Sequence, residues 1–233
     1  MPADTPPETD REALLDAALL HVPFDGWSED AFRAAVRDTG IEPALARTFF
    51  PRGAVDLAVA FHKRGDAVME ARLARADLLG MRTRERVTFA VRARIEAAGD
   101  KEAVRRAASL FALPPYAPEG ARLIWETADA IWTGLGDTDR DLNYYTKRGT
   151  LAGVYSSTVL YWLGDDTPDS TATWSFLDRR IEDVMRFEKV KANPVVKRML
   201  AGPEWVLTRM STPRGGRGAA DMPGRWSGPA PQE

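Results

Sequence analysis

The helical spacing of apolar residues is the feature that most constrains the fold of this 233-residue chain. In one segment the spacing alternates between three and four and joins Trp174, Leu177, Ile181, Val184 and Met185. Side chains at these intervals lie on one face of an α-helix, which is buried against its neighbours. No run of strict apolar–polar alternation is bounded by turn residues, so strand signals are missing. The sequence predicts an all-α protein of about nine or ten helices.

The first 60 residues contain a helix-turn-helix-like unit. Ser28 is a good helix N-cap, Gly40 suits a helix end, and a short helix over residues 43–49 precedes a long fourth helix. This order resembles the head of a TetR-type repressor, in which the third helix enters the major groove. Residues 1–60, however, hold 11 acidic residues against 5 arginines. Because DNA affinity depends on neutralising phosphates, we expect a degenerate unit over 9–60 and no nucleic-acid partner.

The sequence lacks recognisable catalytic or metal-binding patterns. It has no cysteine and only two histidines, His21 and His62, neither of which has a metal-ligand spacing. His62 stands beside Lys63 and Arg64, and we interpret it as a solvated helix residue. No nucleophile elbow, phosphate-binding loop or strand-linked glycine motif is present. These features predict a binding protein that is not an enzyme, with no catalytic residue, no metal and no cofactor.

The C-terminal part of the chain combines basic and apolar residues. Residues 186–217 hold 8 Lys or Arg against 2 Glu, and this composition is typical of a segment lying on an anionic bilayer. The alternative is a C-terminal helix docked on the domain with a solvated basic face. The first hypothesis predicts an amphipathic segment over 193–210, in contact with a membrane surface through Val195, Val196, Lys197, Arg198, Met199, Leu200, Trp205 and Val206. Residues 1–8 and 211–233, rich in Pro or Gly, are predicted to be disordered tails.

One stretch resembles a known family. Thr127-Ala128-Asp129-Ala130-Ile131-Trp132, followed by Asp141-Leu142-Asn143-Tyr144-Tyr145-Thr146-Lys147-Arg148 and by Thr173-Trp174-Ser175-Phe176-Leu177-Asp178, is similar to the Coq-nine family of ubiquinone-biosynthesis accessory proteins. The resemblance is densest over residues 119–187. It implies a TetR-like fold over 9–192 that has lost DNA binding and holds an isoprenoid lipid or quinone in its ligand cavity.

The resemblance also implies how such a protein acts. It would support the demethoxyubiquinone hydroxylase by presenting the quinone precursor at the membrane, without being an enzyme. The apolar residues of the later helices would then line the lipid cavity, although the same stripes are also those of a solid core. The expected lipid-binding residues are Leu123, Ile124, Ile131, Leu151, Val154, Tyr155, Val159, Trp174, Leu177 and Ile181, with Leu160 beside them.

A patch on the seventh and eighth helices is expected to meet the hydroxylase. It combines aromatic side chains with a basic rim, which is the make-up of a partner-binding surface. The alternative is a helix N-terminus with solvated charges. The expected partner-binding residues are Trp132, Leu135, Asp141, Asn143, Tyr144, Tyr145, Lys147 and Arg148. We also expect a homodimer.

The N-terminus and the hydropathy give an expectation for location. The first residues, MPADTPPETD, lack both the basic and apolar regions of a secretory signal and the Arg-rich character of a mitochondrial presequence. No apolar run reaches the ~20 residues that span a bilayer. The sequence therefore predicts a bacterial-type cytoplasmic protein, peripherally associated with the inner membrane. Two rival functions stay open, a TetR-type transcription regulator with an apolar effector and a helical interaction module with a filled core.

Overall fold

A computed structural model describes residues 7–140 and 142–192 of the chain. Within these residues it contains nine α-helices and a 3-10 turn, and no strand, which confirms the all-α prediction. The chain divides into two units, Met1–Val184 and Met185–Glu233, and the packing described below lies in the first. The helices are α1 (Pro7–Asp25), α2 (Glu29–Thr39), α3 (Pro43–Phe49), α4 (Ala54–Arg75), α5 (Thr83–Ala98), α6 (Lys101–Phe111), α7 (Ala117–Gly134), α8 (Leu142–Leu163) and α9 (Thr171–Ala192), with the 3-10 turn at Pro168–Ser170.

Side-chain caps fix where several helices begin and end. Ser28 Oγ accepts a hydrogen bond from the Ala31 amide at 3.2 Å and starts α2. Gly40 ends α2 with a φ of +67°, a left-handed conformation that glycine adopts without steric cost. Asp100 Oδ1 accepts from the amides of Glu102 and Ala103 and starts α6. Each cap satisfies a backbone group that the helix itself leaves without a partner.

The connection between α8 and α9 is organised by one buried carboxylate. Asp165 Oδ2 accepts hydrogen bonds from the amide and hydroxyl of Thr173, and its Oδ1 accepts from the amide and hydroxyl of Thr167. These hydrogen bonds, first from Thr167 and then from Thr173, hold the pKa of Asp165 well below its usual range. The carboxylate therefore sets the angle at which the chain enters α9.

Two hydrophobic clusters form the interior of the first unit. The first cluster joins α1, α2 and the first half of α4, with Leu14, Phe32 and Leu57 almost fully buried. The second joins the end of α4 to α5, α7, α8 and α9, with Met69, Ile131 and Leu177 fully buried. Val104 of α6 packs against both clusters. The space where the two clusters meet is the setting of the candidate site.

Some predictions fall on residues outside the described ranges. The expected membrane-contact residues, Val195 to Val206, and the tail at 211–233 lie there, as does Asp141 of the expected partner patch. At the other end, Pro7 and Glu8 already belong to α1, so the predicted limit between residues 8 and 9 falls inside a helix. Over the described ranges, none of the helices is long and apolar enough to cross a bilayer.

Candidate functional site

A cavity of about 380 Å³ lies between α4, α5, α6, α7 and α8. Its size is within the range of small-molecule sites, and its wall is mostly apolar. Phe61 of α4 and Trp162 of α8 come from different hydrophobic clusters, and both line it. The cavity therefore occupies the junction between the two clusters of the first unit.

Small side chains on two helices create this space. Ala107 and Ala108 of α6 and Gly120 and Ala121 of α7 all line the cavity. Gly120 is held small by its neighbour, since a Cβ atom there would lie 2.7 Å from Cβ of Phe111. Ala108 and Ala121 are exposed to solvent as well as to the cavity. They consequently mark a mouth through which a ligand can enter.

Four of the ten residues predicted to bind lipid line this cavity. They are Leu123, Ile124, Tyr155 and Val159, and Leu160 joins them at an exposed position. The other six do not line the cavity and pack in the second hydrophobic cluster, to which Tyr155 also belongs. They are Ile131, Leu151, Val154, Trp174, Leu177 and Ile181.

One part of the cavity wall is polar. Arg94 is 3% exposed; its Nε donates to Asp66 Oδ1 at 2.6 Å and its Nη2 donates to the carbonyl oxygen of His62 at 2.9 Å. His62 Nε2 lies 2.8 Å from Thr127 Oγ1, which donates to Asp66 Oδ1 at 2.8 Å. These four side chains form one hydrogen-bonded group, which we call the polar cluster. His62 and Arg94 face the cavity.

Burial controls the charge of the polar cluster. Burial, together with the positive charge of Arg94, lowers the pKa of His62 to about 4, so this ring is neutral near pH 7. Arg94 and Asp66 then form an ion pair with no net charge. The prediction that His62 is a solvated helix residue is therefore wrong, because the ring turns inward between α4 and α7.

The sequence contains a signal for this cluster that lies outside the known catalytic and metal-binding motifs. Arg94 stands seven residues after Val87 and therefore occupies the apolar face of α5, where a charge needs a buried partner. His62 and Asp66 are four residues apart and share one face of α4. Gly65 lies between them, and a Cβ atom there would come within 2.5 Å of Arg94 Nη1. A buried charge opposite a mid-helix glycine indicates close packing of the two helices.

The two cations of the expected partner patch, Lys147 and Arg148, are paired with aspartates in the structure. Arg148 is buried, and its Nε and Nη1 donate to Asp129 Oδ1 at 2.5 Å and Asp137 Oδ2 at 3.0 Å. Lys147 Nζ lies 2.6 Å from carboxylate oxygens of both Asp137 and Asp139. The predicted basic rim is thus wrong, because aspartates of α7 and of the following loop neutralise both cations.

Most side chains of the patch are also less exposed than predicted. Tyr144 is half-buried, donates to Asp129 Oδ1 at 3.1 Å and lies under the Arg148 guanidinium. The indole of Trp132 donates to the carbonyl oxygen of Lys147, and Leu135 packs against the second cluster. Asn143 is exposed. Tyr145 is 62% exposed and contacts Trp125 with 6.3 Å between ring centroids. The accessible aromatic surface is therefore Tyr145 with Trp125.

The helix order and the cavity between the later helices define a TetR-like helical protein. A TetR transcriptional regulator from Nitrosomonas europaea has a similar structure, with a TM-score of 0.62, 19% identity, and coverage of 74% of this chain and 95% of that one. The COQ9 family model matches residues 117–188. The chain therefore carries a COQ9 domain, and the resemblance to the Coq-nine family that the sequence predicted is confirmed.

Full-length relatives extend this match beyond the domain. The rat protein named "Ubiquinone biosynthesis protein COQ9, mitochondrial" is 33% identical over 180 residues, which are 74% of this chain and 57% of the relative. The human protein of the same name is 32% identical over 180 residues, or 74% and 56%. The chain thus spans a little over half the length of these relatives. Both are named as mitochondrial, which contradicts the prediction of a bacterial-type cytoplasmic protein. That prediction depended on a few N-terminal residues.

Proposed function

We propose that the protein binds an isoprenoid lipid or quinone precursor and supports ubiquinone biosynthesis as a non-enzymatic accessory protein. The observation that carries this proposal is the apolar cavity of about 380 Å³ at the junction of the two hydrophobic clusters. A buried apolar space binds apolar ligands because the ligand leaves water on entering it. The names of the rat and human relatives give the pathway.

The chemistry of the cavity wall supports binding rather than catalysis. Asp66 and Arg94 form an ion pair and neutralise each other. The Thr127 hydroxyl hydrogen-bonds both to His62 and to Asp66. These groups hydrogen-bond to one another and lie in a wall that is otherwise apolar, which supports the binding of an apolar ligand. We propose that they orient that ligand in the cavity.

Closing the cavity mouth tests the proposal. We expect Ala121→Trp to reduce binding of a fluorescent apolar probe such as N-phenyl-1-naphthylamine at least ten-fold, because an indole would fill the entrance between α6 and α7. Ala121 is exposed, so the melting temperature should change little. Probe titration and thermal melting of the same samples measure both quantities.

Ala67→Trp is the matched control for that experiment. Ala67 is an exposed residue of α4 outside the cavity wall, so this variant adds the same indole without closing the mouth. Probe binding that survives Ala121→Trp at full strength would contradict a ligand site in this cavity.

We also propose that the aromatic surface of Tyr145 and Trp125 contacts a demethoxyubiquinone hydroxylase. Tyr145 is the exposed member of the Tyr144–Tyr145 pair, and large accessible aromatics are typical anchors of protein interfaces. Tyr145 is a better anchor than Tyr144, because Tyr144 already hydrogen-bonds to Asp129 and packs under the Arg148 guanidinium.

The corresponding prediction concerns Tyr145→Ala. We expect this variant to weaken hydroxylase binding by about 1–3 kcal/mol, the usual effect of truncating a central aromatic anchor. Phe24→Ala is the control, since Phe24 is 83% exposed on α1, away from the patch. A pull-down series with purified hydroxylase measures the affinity. If Phe24→Ala lowers affinity as much as Tyr145→Ala does, the surface has been placed on the wrong helices.

Contact with a membrane surface through residues 193–210, and assembly as a homodimer, remain proposals. The first is supported by the basic and apolar composition of that segment. Binding to anionic vesicles that declines as salt is added would support it, and equal binding by a chain ending at Ala192 would contradict it.

The alternative function is a TetR-type transcription regulator with an apolar effector, which the Nitrosomonas europaea structure favours through its fold. The N-terminal unit argues against it. Arg47, the one arginine of α3, is paired with Glu29 and stacks over the Phe32 ring at 4.4 Å. A helix whose single cation is already neutralised offers little to the phosphate backbone. We therefore propose that nucleic acid is not a partner.

A further inference from the structure

Tyr155 is a polar residue of the cavity wall whose hydroxyl is available to a ligand. Tyr155 lines the cavity and is 6% exposed, and its hydroxyl makes no hydrogen bond to any residue of the described ranges 7–140 and 142–192. Burial raises the pKa of Tyr155, so the hydroxyl stays protonated and remains a donor. No buried polar side-chain atom of the described residues lacks a partner, so the Tyr155 hydroxyl is open to the cavity. A ligand that fills the cavity covers this hydroxyl and has to supply an acceptor, since a donor covered without one is costly.

The surroundings of Tyr155 determine what kind of acceptor fits. The guanidinium carbon of Arg94 lies 5.7 Å from the Tyr155 ring centroid, but its charge is balanced by Asp66 at 2.6 Å. His62, the other ionisable neighbour, is neutral near pH 7. The polar side of the cavity thus has no net positive charge. An anionic headgroup placed there would lose its hydration without gaining a counter-ion.

We propose that Tyr155 determines specificity by donating its hydroxyl to a neutral acceptor oxygen, such as a carbonyl or quinone oxygen, on an otherwise apolar ligand. The polar head of the ligand lies against α5 and α8, and its apolar part points toward the alanine-lined mouth at α6 and α7. This inference rests on the proposed lipid-binding function and adds the chemical class and the orientation of the ligand.

Three matched ligands test the inference by competition against N-phenyl-1-naphthylamine. They are 2-hexyl-1,4-benzoquinone, hexylbenzene, which lacks the oxygens, and hexyl phosphate, which carries an anionic head. The chain has no cysteine, so the quinone forms no thiol adduct. We expect the quinone to bind about five- to ten-fold tighter than hexylbenzene, and hexyl phosphate to bind more weakly than the quinone.

Tyr155→Phe removes the hydroxyl and keeps the ring. We expect it to abolish the preference for the quinone, to leave hexylbenzene binding unchanged and to leave the melting temperature unchanged. Tyr161→Phe is the matched control, because Tyr161 stacks on Phe176 with 4.5 Å between centroids and does not line the cavity.

The outcomes separate this inference from the proposed function. If neither hexylbenzene nor the quinone binds the unaltered protein, the lipid-binding function itself is wrong. If both bind and Tyr155→Phe keeps the quinone preference, only the role of Tyr155 is overturned. Tighter binding of hexyl phosphate than of the quinone overturns the neutral-acceptor class. A lower melting temperature for Tyr155→Phe would show that the hydroxyl has a structural partner.

Discussion

Replacing Arg148 with methionine is expected to lower the free energy of unfolding by about 3 kcal/mol. Removal of one partner from a buried ion pair generally costs about 3–5 kcal/mol, because the remaining charge stays buried without compensation. Arg148 is 2% exposed, and the carboxylate of Asp137 is 6% exposed. Since Lys147 still contacts Asp137 in the variant, we place the effect at the lower end of that range. Denaturant unfolding at pH 7 measures it.

Arg122→Met is the control for this experiment. Arg122 makes its ion pairs with Glu119 and Glu126 at the surface of α7, with 56% of its side chain exposed. Pairs of this kind contribute about 0–1 kcal/mol. Equal losses of stability for the two variants would show that the Arg148 cluster contributes no more than a surface pair.

Arg148 also shows why the charge pattern of the partner patch was not predictable from the sequence. In the sequence, Lys147 and Arg148 follow two tyrosines at a helix start and have the pattern of a basic rim. Their acidic partners lie 8 to 19 residues away, on α7 and its following loop. Only the angle between α7 and α8 brings those aspartates to the cations, and helical periodicity within one element contains no information on that angle.

The helix order, in contrast, was predictable because it depends on local signals. Ser28 and Gly40 bound α2 where their cap chemistry indicated, and the Pro114-Pro115 pair follows the end of α6. Local signals were weaker at α4. The helical spacing that runs through Leu57, Phe61 and Leu73 also predicts an inward Val68, but Val68 is 38% exposed and Met69 is buried instead. Adjacent apolar residues satisfy the helical spacing almost equally well, and the packing against α5 selects between them.

The lining of the cavity was predictable from the sequence only in part. Four residues of the apolar stripes on α7 and α8 line the cavity, and other residues of the same stripes pack in the core. A cavity arises where side chains are too small to meet, and here Ala107, Ala108, Gly120 and Ala121 leave that space. Alanine is a strong helix former and is common in helices, so alanines in the sequence give no sign of a cavity by themselves. Their shared position becomes visible only when α6 and α7 are packed.

The pH dependence of stability is the second large effect that the structure predicts. The pKa of His62 is about 4 in the folded protein and about 6.5 in the unfolded chain. A histidine with a depressed folded pKa contributes stability above its unfolded value, and that stability is lost as the pH falls toward the folded value. Between pH 7 and pH 5 the linkage relation gives a loss of about 2 kcal/mol from this residue.

This window isolates the histidine from the carboxylates. Hydrogen bonds from Arg52 and from Lys147 hold the pKa values of Glu119 and Asp137 below their usual ranges, and Asp165 is similarly lowered by its threonines. These groups stay ionised at pH 5, so their contributions are lost only at lower pH. The charged groups that act on the His62 ring are Arg94 and Lys63, which lower its pKa, and Asp66, which raises it.

His62→Gln tests the assignment, because glutamine can replace the hydrogen bond to Thr127 and does not titrate. We expect the loss of stability between pH 7 and pH 5 to be about 2 kcal/mol smaller in this variant than in the unaltered protein. His21→Gln changes the only other histidine, which contacts Asp38 at the surface, and serves as the control. Urea unfolding of the three proteins at both pH values gives the six free energies of unfolding to be compared. If His62→Gln loses as much stability between pH 7 and pH 5 as the unaltered protein, the His62 ring is not buried in its neutral form between α4 and α7. The polar side of the cavity then carries more positive charge than the ion pair of Arg94 and Asp66 allows.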